Sequence, residues 1–299
     1  MDRLEAMSIL CEVVDAGSLS AASRRLDIPL ATVSRKVGEI EAHLKTRLLN
    51  RTTRQLSLTE AGAAYVASCR RILEEVGEAE RAATGEYAAP RGYLVITAPV
   101  VFGRLHVAPV LADFLAHYPQ IDARLFLTDR NTHMLEEHID VAVRVGSLPD
   151  SALVAMSIGE VRIVTCASPA YLASRGTPMT PDELGAHACV AFDGLTSARA
   201  WNFPAGKSER AVRIEPRLVT NTAESAVDTA AFGLGVTRVL SYQAAAAVRE
   251  GRLQLVLEKF EPPPLPISLV HTGQLPVPLK LRAFLDFARP RLQGRLAGV

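Results

Sequence analysis

A short polar segment of the chain contains side chains whose types and spacing suggest one particular chemistry. Within five consecutive positions lie Thr32, Ser34, Arg35 and Lys36. An arginine guanidinium can donate to both O6 and N7 of guanine, and a serine hydroxyl can bond a base edge or a phosphate. These four residues therefore form a candidate contact with double-stranded DNA.

A second polar group follows shortly afterwards and could contact a different part of the DNA. Arg51, Thr52, Thr53 and Arg54 lie between two short segments in which apolar and polar residues alternate. This alternation predicts a hairpin with the four residues at its tip. Basic and hydroxyl side chains at such a tip suit contact with phosphates or the minor groove. We expect a wing beside the helix that reads the bases.

The charge of the chain is concentrated around these two groups. Residues 19–58 contain eight basic and three acidic side chains, a net charge of +5, whereas the 299-residue chain as a whole has +1. A small basic module joined to a mildly acidic remainder indicates one local contact with a polyanion. Charge alone leaves open the alternative that this segment is a solvated charged surface.

Three helices are predicted around the first polar group. Apolar residues recur at helical intervals over residues 4–14, and Ser20 is expected to cap a short helix over 21–26. Pro29 interrupts the pattern, and a third helix is predicted over about 30–44. Two helices joined by a tight turn, the second with a basic leading end, are typical of a helix-turn-helix. A plain three-helix bundle fits the same pattern.

A long helix is predicted next. Thr59 can cap a helix over residues 60–87, whose apolar side chains form one stripe along its length. Such a helix spans about 42 Å at 1.5 Å per residue, and so long a stripe needs a partner. A second copy of the same helix is the simplest partner. A dimer would also present two reading helices to a two-fold symmetric DNA site.

Residues 1–87 resemble the amino-terminal part of LysR-type transcriptional regulators. The resemblance is carried, in order, by Ala16-Gly17-Ser18-Leu19-Ser20-Ala21-Ala22, Thr32-Val33-Ser34-Arg35-Lys36-Val37, Leu48-Leu49-Asn50-Arg51 and Leu58-Thr59-Glu60-Ala61-Gly62. The combination is specific in its order and spacing, and the remainder of the chain is similar to the family as well. The chain departs from the family at Pro29-Leu30-Ala31, where many relatives have a serine cap, and at Leu49, where phenylalanine is frequent.

The resemblance implies a multidomain α/β protein in three parts. A winged helix-turn-helix DNA-binding domain is expected over residues 1–58, a linker and dimerisation helix over 59–90 and an effector-binding domain over 91–299. The last part would have two α/β lobes similar to periplasmic solute-binding proteins. Lobe I would comprise about 91–164 and 267–299, and lobe II about 165–266. A small-molecule effector would bind between the lobes, and a homotetramer built from two dimers is the expected assembly.

The sequence of the third part agrees with this organisation. Apolar strands are predicted at 93–98, 121–127 and 140–145, a helix at 105–118, and a second unit from near Arg162. Strands that alternate with helices predict mainly parallel sheets with flanking helices. The chain is expected to cross between the lobes near Thr165 and near Pro266.

Candidate effector-binding residues follow from the rule that ligands bind beyond the carboxyl ends of strands in open α/β sheets. The rule selects Pro99, Val100, Phe102, Thr128, Arg144, Val145, Gly146, Asn221 and Thr222. Helix starts and Arg144 would favour a small anionic effector. Two alternatives stay open, an ion pair of Arg144 with Asp129 or Asp140 and a helix-capping role for Asn221.

Other classes of site find less support in the residues. His133 and His138 would lie about 140° apart around a helix, so they would not share a face for a metal ion. Cys166 and Cys189 are expected to be buried thiols rather than a redox pair. No cofactor motif is recognised, so we expect no cofactor and no catalytic site.

The expected function is therefore that of a ligand-responsive, sequence-specific transcription regulator that is not an enzyme. No apolar run of about 18 residues and no secretory signal are recognised, so a cytoplasmic protein without a membrane partner is expected. Two alternatives remain: a helix-turn-helix fused to a cofactor-binding or enzymatic domain, and an exported solute-binding protein. The basic amino-terminal segment counts against the second alternative.

Overall fold

The computed structural model describes residues 2–51, 56–84, 89–130, 132–134, 136–148, 153–194, 199–206, 208–273 and 277–296. The chain divides into two compact units, residues 1–89 and residues 90–299. The first unit contains the basic segment and the long helix, and the second contains two sheets.

Three helices form the core of the first unit. They are α1 (Arg3–Asp15), α2 (Leu19–Leu26) and α3 (Leu30–Leu44). Each helix buries one face in a shared apolar cluster, whose members include Leu10, Val13, Ala22, Val33, Val37 and Ile40. Removal of this surface from water stabilises the unit by about 25 cal/mol per Å² of apolar area.

A tight turn joins α2 to α3, as the sequence predicts. The cap of α2 differs from the prediction: the hydroxyl of Ser18, not of Ser20, accepts a hydrogen bond at 3.1 Å, from the N–H of Ala21. Ser18 has the extended backbone of a capping residue, with φ −162° and ψ 152°, whereas Ser20 is already inside the helix. After the helix, the hydroxyl of Ser23 donates to the carbonyl of Ile28 at 2.6 Å and closes the turn.

A hairpin follows α3 and is fixed to its end. β1 (Leu49–Arg51) pairs antiparallel with β2 (Leu56–Leu58), as the alternation of residues predicts. One carboxylate oxygen of Glu41 accepts hydrogen bonds from the N–H groups of Leu48 at 2.8 Å and Leu49 at 3.1 Å. The wing is therefore oriented by a side chain of the same helix that carries the candidate base-reading residues.

The long helix α4 (Glu60–Thr84) completes the first unit. Thr59 caps it, and its hydroxyl accepts the N–H of Gly62 at 2.9 Å. A Cβ atom at Gly62 would lie 1.9 Å from the carbonyl oxygen of Leu48, so glycine is required where the helix passes the wing. The predicted end of the helix at residue 87 lies outside the described residues.

The second unit contains two five-stranded sheets. The strands of the first are β3 (Gly92–Ala98), β4 (Ile121–Leu127), β5 (Val141–Val145), β6 (Val154–Val161) and β14 (Leu265–His271), in the order β4-β3-β5-β14-β6. The strands of the second are β7 (Ile163–Ala167), β8 (Cys189–Phe192), β11 (Pro216–Thr220), β12 (Val236–Leu240) and β13 (Gln254–Val256), in the order β11-β8-β12-β7-β13. A separate hairpin consists of β9 (Ala200–Ala205) and β10 (Ser208–Arg213).

Both sheets are mixed, so the prediction of mainly parallel sheets is wrong. In the first sheet β3 runs parallel to β4 and β5, but β14 runs antiparallel to β5 and β6. In the second sheet β7 is antiparallel to both β12 and β13. Antiparallel pairing arises where the chain enters a sheet directly from the other one, without the helical crossover that a parallel neighbour requires.

The chain passes between the two sheets twice, at neighbouring places. Only Arg162 separates β6 from β7, and residues 261–264 lead from the second sheet back to β14. Both passages come a few residues before the positions expected from the sequence. The guanidinium of Arg162 forms an ion pair with the carboxylate of Glu261 at 3.1 Å, so one passage is bonded to the other.

A continuous helical run packs against the first sheet. It consists of α5 (Val100–Phe102), a π-helical turn (Gly103–Val107) and α6 (Ala108–His117). By length and composition this run could span a membrane, so the expectation that no such run exists is wrong. In this unit the run contributes Phe102, Val107, Val110 and Phe114 to the apolar core.

The remaining helices are α7 (Pro169–Arg175), α8 (Ala223–Ala231), α9 (Ser241–Arg249) and α10 (Leu279–Leu296), with 3-10 turns at Pro181–Ala186 and Glu258–Phe260.

Candidate functional site

Arg35 is the most exposed of the four candidate base-reading residues on α3. Its side chain is 59% exposed, and its guanidinium bonds the carboxylate of Glu39 at 2.6 Å, one helical turn further on. Exposed pairs of this kind contribute about 0.3–0.5 kcal/mol, so Arg35 can exchange the carboxylate for a base or a phosphate at little cost. Thr32 and Ser34 lie in the first turns of the same helix and are half-buried.

Lys36 differs from the expectation that it belongs to the exposed polar face of α3. The residue is only 9% exposed, and its ammonium group bonds the carboxylate of Glu5 on α1. The periodicity of α3 places Lys36 beside the buried positions Val33 and Val37, where its alkyl chain packs and its charge needs a partner. Lys36 therefore joins α3 to α1.

The wing residues are described only in part. Arg51 is the last residue of β1 and pairs with Leu56 across the hairpin. The predicted tip residues Thr52, Thr53 and Arg54 lie outside the described residues.

At the carboxyl ends of β3 and β4 the structure brings several candidate effector-binding residues together. The N–H of Val100 donates to the carboxylate of Asp129 at 3.1 Å, and the N–H of Thr128 donates to the carbonyl of Ala98 at 3.0 Å. Pro99, Val100 and Thr128 are half-buried. These bonds hold the start of α5 against the end of β4.

Phe102 does not share this accessibility. Its side chain is 0% exposed, and its ring packs against His106 and Tyr242 with centroid distances of 4.8 Å and 5.4 Å. The residue belongs to the apolar core beneath the strand ends. The sequence places Phe102 in a loop after β3, where it would be an effector contact. In the structure it is the last residue of α5 and faces inward.

Arg144, at the end of β5, is bonded differently from the alternatives left open above. Its guanidinium donates to the carbonyl of Thr132 at 2.8 Å and to the hydroxyl of the same residue at 2.7 Å. Burial lowers the pKa of Arg144. Asp129 and Asp140 accept backbone N–H groups instead.

Val145 and Gly146 follow Arg144 at the same strand end and are half-buried. The N–H of Gly146 donates to the carbonyl of Pro266 at 2.8 Å, and its φ of +99° is a conformation that favours glycine. The end of β5 is thus held beside the return strand β14.

On the second sheet, Thr222 rather than Asn221 caps α8. The hydroxyl of Thr222 accepts the N–H of Ser225 at 3.4 Å and donates to the hydroxyl of Ser225 at 2.7 Å. The capping role considered for Asn221 is therefore wrong, and Asn221 is exposed just before the helix.

Two charged residues approach each other between the two sheets. Arg104, in the π-helical turn beside the first sheet, lies 3.8 Å from the carboxylate of Glu224 on α8 beside the second. Burial raises the pKa of Asp129, and the charge of Glu224 raises it further. Burial also raises the pKa of Tyr242, again with contributions from Asp129 and Glu224. Their long sequence separations leave no local pattern by which to recognise this group.

The alternative sites weighed in the sequence are not assembled. Cys166 and Cys189 are both buried but contribute to different apolar clusters, on opposite faces of the second sheet. His133 and His138 are both exposed, and within the ranges described above no group of three or more potential metal ligands occurs.

Two family models match the chain. Residues 4–63 match the bacterial regulatory helix-turn-helix protein, lysR family, and residues 88–293 match the LysR substrate binding domain. The first match contains α1 to the start of α4, and the second contains both sheets.

Similar full-length proteins support the same assignment. An HTH-type transcriptional regulator of Xanthomonas campestris is 37% identical over 288 residues, which are 95% of this chain and 84% of the relative. The HTH-type transcriptional activator AaeR of Escherichia coli is 31% identical, with 96% and 93% covered. The structure of CrgA, a LysR-type transcriptional regulator from Neisseria meningitidis, matches with a TM-score of 0.62 at 32% identity, over 96% of this chain and 98% of that one. The chain therefore belongs to the LysR family of helix-turn-helix transcription regulators, with an amino-terminal DNA-binding domain and an effector-binding domain of two α/β lobes.

Proposed function

We propose that Arg35 and Ser34 read base edges in the major groove and that Thr32 contacts the DNA backbone. This proposal rests on the exposure of Arg35. Its side chain lies on the first half of α3 and forms only an exposed ion pair, with Glu39. Arg51, Thr52, Thr53 and Arg54 complete the proposed interface by binding phosphates from the wing. Lys36 contributes indirectly, because it positions α3 on α1.

Dimerisation through α4 would present two copies of α3 to a two-fold related pair of half-sites. The described helix has 25 residues, about 37 Å at 1.5 Å per residue, and it extends well beyond the part that packs on α1. A tetramer formed from two such dimers is the proposed assembly, and the cytoplasm is the proposed location.

The effector is proposed to bind between the lobes, at the strand ends formed by Pro99, Val100, Thr128, Val145 and Gly146, with Asn221 and Thr222 opposite. Its class is proposed to be a small polar molecule with an anionic group directed to Arg144. Asp129 lies beside Val100 at these strand ends and Glu224 lies on α8, so a hydrogen-bond donor elsewhere in the effector would complement the two carboxylates. Phe102 supports the site from the core.

The proposal is tested by footprinting and gel-shift measurements on DNA upstream of the chain's own gene, at several salt concentrations. We expect two protected, two-fold related half-sites and a loss of discrimination against unrelated DNA in Arg35→Ala. Arg213→Ala is the matched control, because that side chain is 81% exposed and lies in the other unit. Equal discrimination by the wild type and Arg35→Ala would contradict the assigned role of Arg35.

A further inference from the structure

A π-helical turn lies where lobe I meets lobe II. The turn, Gly103–Val107, separates α5 from α6, and turns of this type occur frequently at functional sites. A Cβ atom at Gly103 would lie 2.1 Å from a methyl group of Leu127, so the turn packs directly on the end of β4. The guanidinium of Arg295 on α10 also donates to the carbonyl of Leu105 at 3.0 Å. The sheet and α10 therefore both hold the turn in place.

Two polar side chains of this turn approach lobe II. Arg104 lies 3.8 Å from Glu224 on α8, and both side chains are partly exposed. The ring of His106 packs against the ring of Tyr242 on α9, with a centroid distance of 6.0 Å and nearly perpendicular planes. Phe102 contacts both of these rings. The contact between the lobes therefore includes three rings, two from lobe I and one from lobe II.

The polar atoms of this three-ring contact are buried without partners. His106 is 8% exposed and Tyr242 is 2% exposed. Among the described residues, neither ring nitrogen of His106 nor the hydroxyl of Tyr242 has a hydrogen-bond partner. The side-chain oxygen of the adjacent Gln243 accepts the N–H of Leu240 at 2.8 Å instead. Buried polar atoms without partners destabilise a fold, and phenylalanine at either position would fill similar space without that cost.

The hydrogen-bonding capacity of these atoms defines the group that would satisfy them. A neutral imidazole has one donor and one acceptor nitrogen, and a tyrosine hydroxyl can both donate and accept. Burial lowers the pKa of His106, so its ring is uncharged near neutral pH. A carboxylate only accepts hydrogen bonds and an ammonium group only donates them. The complementary group is therefore uncharged and does both, as a hydroxyl or a primary carboxamide does.

We propose that His106 and Tyr242 form a subsite that binds an uncharged hydroxyl or primary carboxamide group of the effector. Each lobe contributes one of the two side chains, so the bound group would bridge the lobes. Because the three rings touch one another, the group can enter only when the lobes separate there. Its hydrogen bonds then stabilise the separated arrangement, and the buried polar atoms gain the partners that they lack.

This inference rests on the proposed effector site between the lobes and defines its ligand more closely. The anionic group proposed for Arg144 would form one part of the molecule, and the hydroxyl or carboxamide would form another. The effector class is then a small hydroxy acid or the half-amide of a small dicarboxylic acid.

The first measurement needs no effector. Tyr242→Phe removes only the hydroxyl oxygen, so the full-length variant is expected to melt about 2–4 °C above the wild type. Tyr171→Phe, also in lobe II, is the matched control and should melt lower, because its hydroxyl accepts the N–H of Ala188 at 2.9 Å. An unchanged or lower melting temperature of Tyr242→Phe would show that water or protein already satisfies the hydroxyl, and would overturn the proposal.

The second measurement is isothermal titration of the wild type and Tyr242→Phe with matched probes. Succinate is compared with malate and succinamate, and phenylacetate with mandelate. Methyl phenylacetate and methyl mandelate provide a pair without the negative charge. We expect the wild type to bind at least one hydroxyl or carboxamide probe about tenfold more tightly than its parent compound. This preference should disappear in Tyr242→Phe and in His106→Phe, whereas binding of the parent compound should stay the same.

The outcomes separate this subsite from the proposed anionic effector. Equal binding of the parent and substituted acids by the wild type, or a preference that survives in Tyr242→Phe, would overturn the subsite and leave the role of Arg144 intact. Binding of methyl mandelate that depends on Tyr242, without binding of mandelate, would support the subsite and contradict the role of Arg144. Binding of none of the probes would overturn both.

Discussion

Lys36 on α3 and Glu5 on α1 form an ion pair that is exposed on one side only. The lysine side chain is 11% exposed, whereas the glutamate side chain is 50% exposed. The pair therefore joins α3, the helix proposed to read DNA, to α1. The lysine is its buried member. Loss of the lysine removes a packed alkyl chain as well as a charge.

Lys36→Ala is expected to lower the free energy of unfolding by about 1–3 kcal/mol, through lost packing and a lost charge-assisted hydrogen bond. Sequence discrimination should stay unchanged at temperatures where the domain is folded, because the ammonium group is bonded to Glu5 on α1. Urea unfolding and gel shifts would measure the two effects separately. Arg24→Ala, an exposed basic residue of the same domain, serves as the control. Unchanged stability of Lys36→Ala would contradict the positioning role.

Arg35→Ala is expected to show the opposite pattern. Its exposed pair with Glu39 contributes little to stability, so the free energy of unfolding should change by no more than about 0.5 kcal/mol. Discrimination between operator and mismatched DNA should fall by about 1–3 kcal/mol if the guanidinium reads a base. Competition gel shifts with single-base variants of each half-site would locate the lost discrimination at one position. A uniform loss across all sequences would indicate a phosphate contact instead.

Gly62→Ala is expected to destabilise the first unit by about 1–3 kcal/mol, because the new methyl group would meet the carbonyl oxygen of Leu48. Gly38→Ala provides a matched control within α3, since a Cβ there meets nothing within 4 Å. That substitution should stabilise the helix by about 0.5–1 kcal/mol. Urea denaturation of both variants would show whether the free energy of unfolding falls in Gly62→Ala and rises in Gly38→Ala. Similar behaviour of the two variants would show that α4 does not pass the wing as closely as described.

His106 is expected to make the stability of the second unit depend on pH. Burial, with a smaller contribution from Arg295, lowers the pKa of His106, and its ring nitrogens have no hydrogen-bond partner among the described residues. The unfolded imidazole takes up a proton near pH 6.5, whereas the folded one does so only at lower pH. Below about pH 6.5 the unfolded state therefore binds more protons, and stability decreases as the pH falls.

The measurement is thermal or urea unfolding of the wild type and His106→Phe between pH 5 and pH 8. The difference between the two stability profiles should be constant above about pH 6.5 and should change below it, with the wild type losing more stability. Part of the slope should remain in the variant, because burial also lowers the pKa of His271. His117→Phe, at an exposed position, is the control. Parallel profiles for the wild type and His106→Phe would contradict the contribution of this residue.

Local patterns in the sequence predict local structure well in this protein. The helical spacing of apolar residues, the interruption at Pro29 and the cap at Thr59 depend on neighbours within a few positions, and the helices over 30–44 and from 60 onwards form as predicted. The family motifs extend this to the whole chain, because their order identifies a known arrangement of domains.

Contacts between distant residues account for what the sequence did not reveal. The burial of Lys36 depends on Glu5, which lies on another helix. Phe102 is buried, contrary to its selection as an effector contact, because α5 begins directly at Val100 and turns that ring into the core. The direction of β14 depends on the other sheet, since the strand enters from there. None of these relations has a local signature.

The two passages between the lobes have a consequence for how an effector could act. Arg162 in one passage is bonded to Glu261 in the other, so both connections lie along a single line. Two connections at neighbouring places act as one hinge: they allow the two lobes to rotate about the line that joins them and oppose sliding of one lobe past the other. A ligand that binds anywhere between the lobes would therefore drive the same one-dimensional movement. The chemical identity of the effector could then change during evolution without any change in the mechanical signal that the lobes deliver.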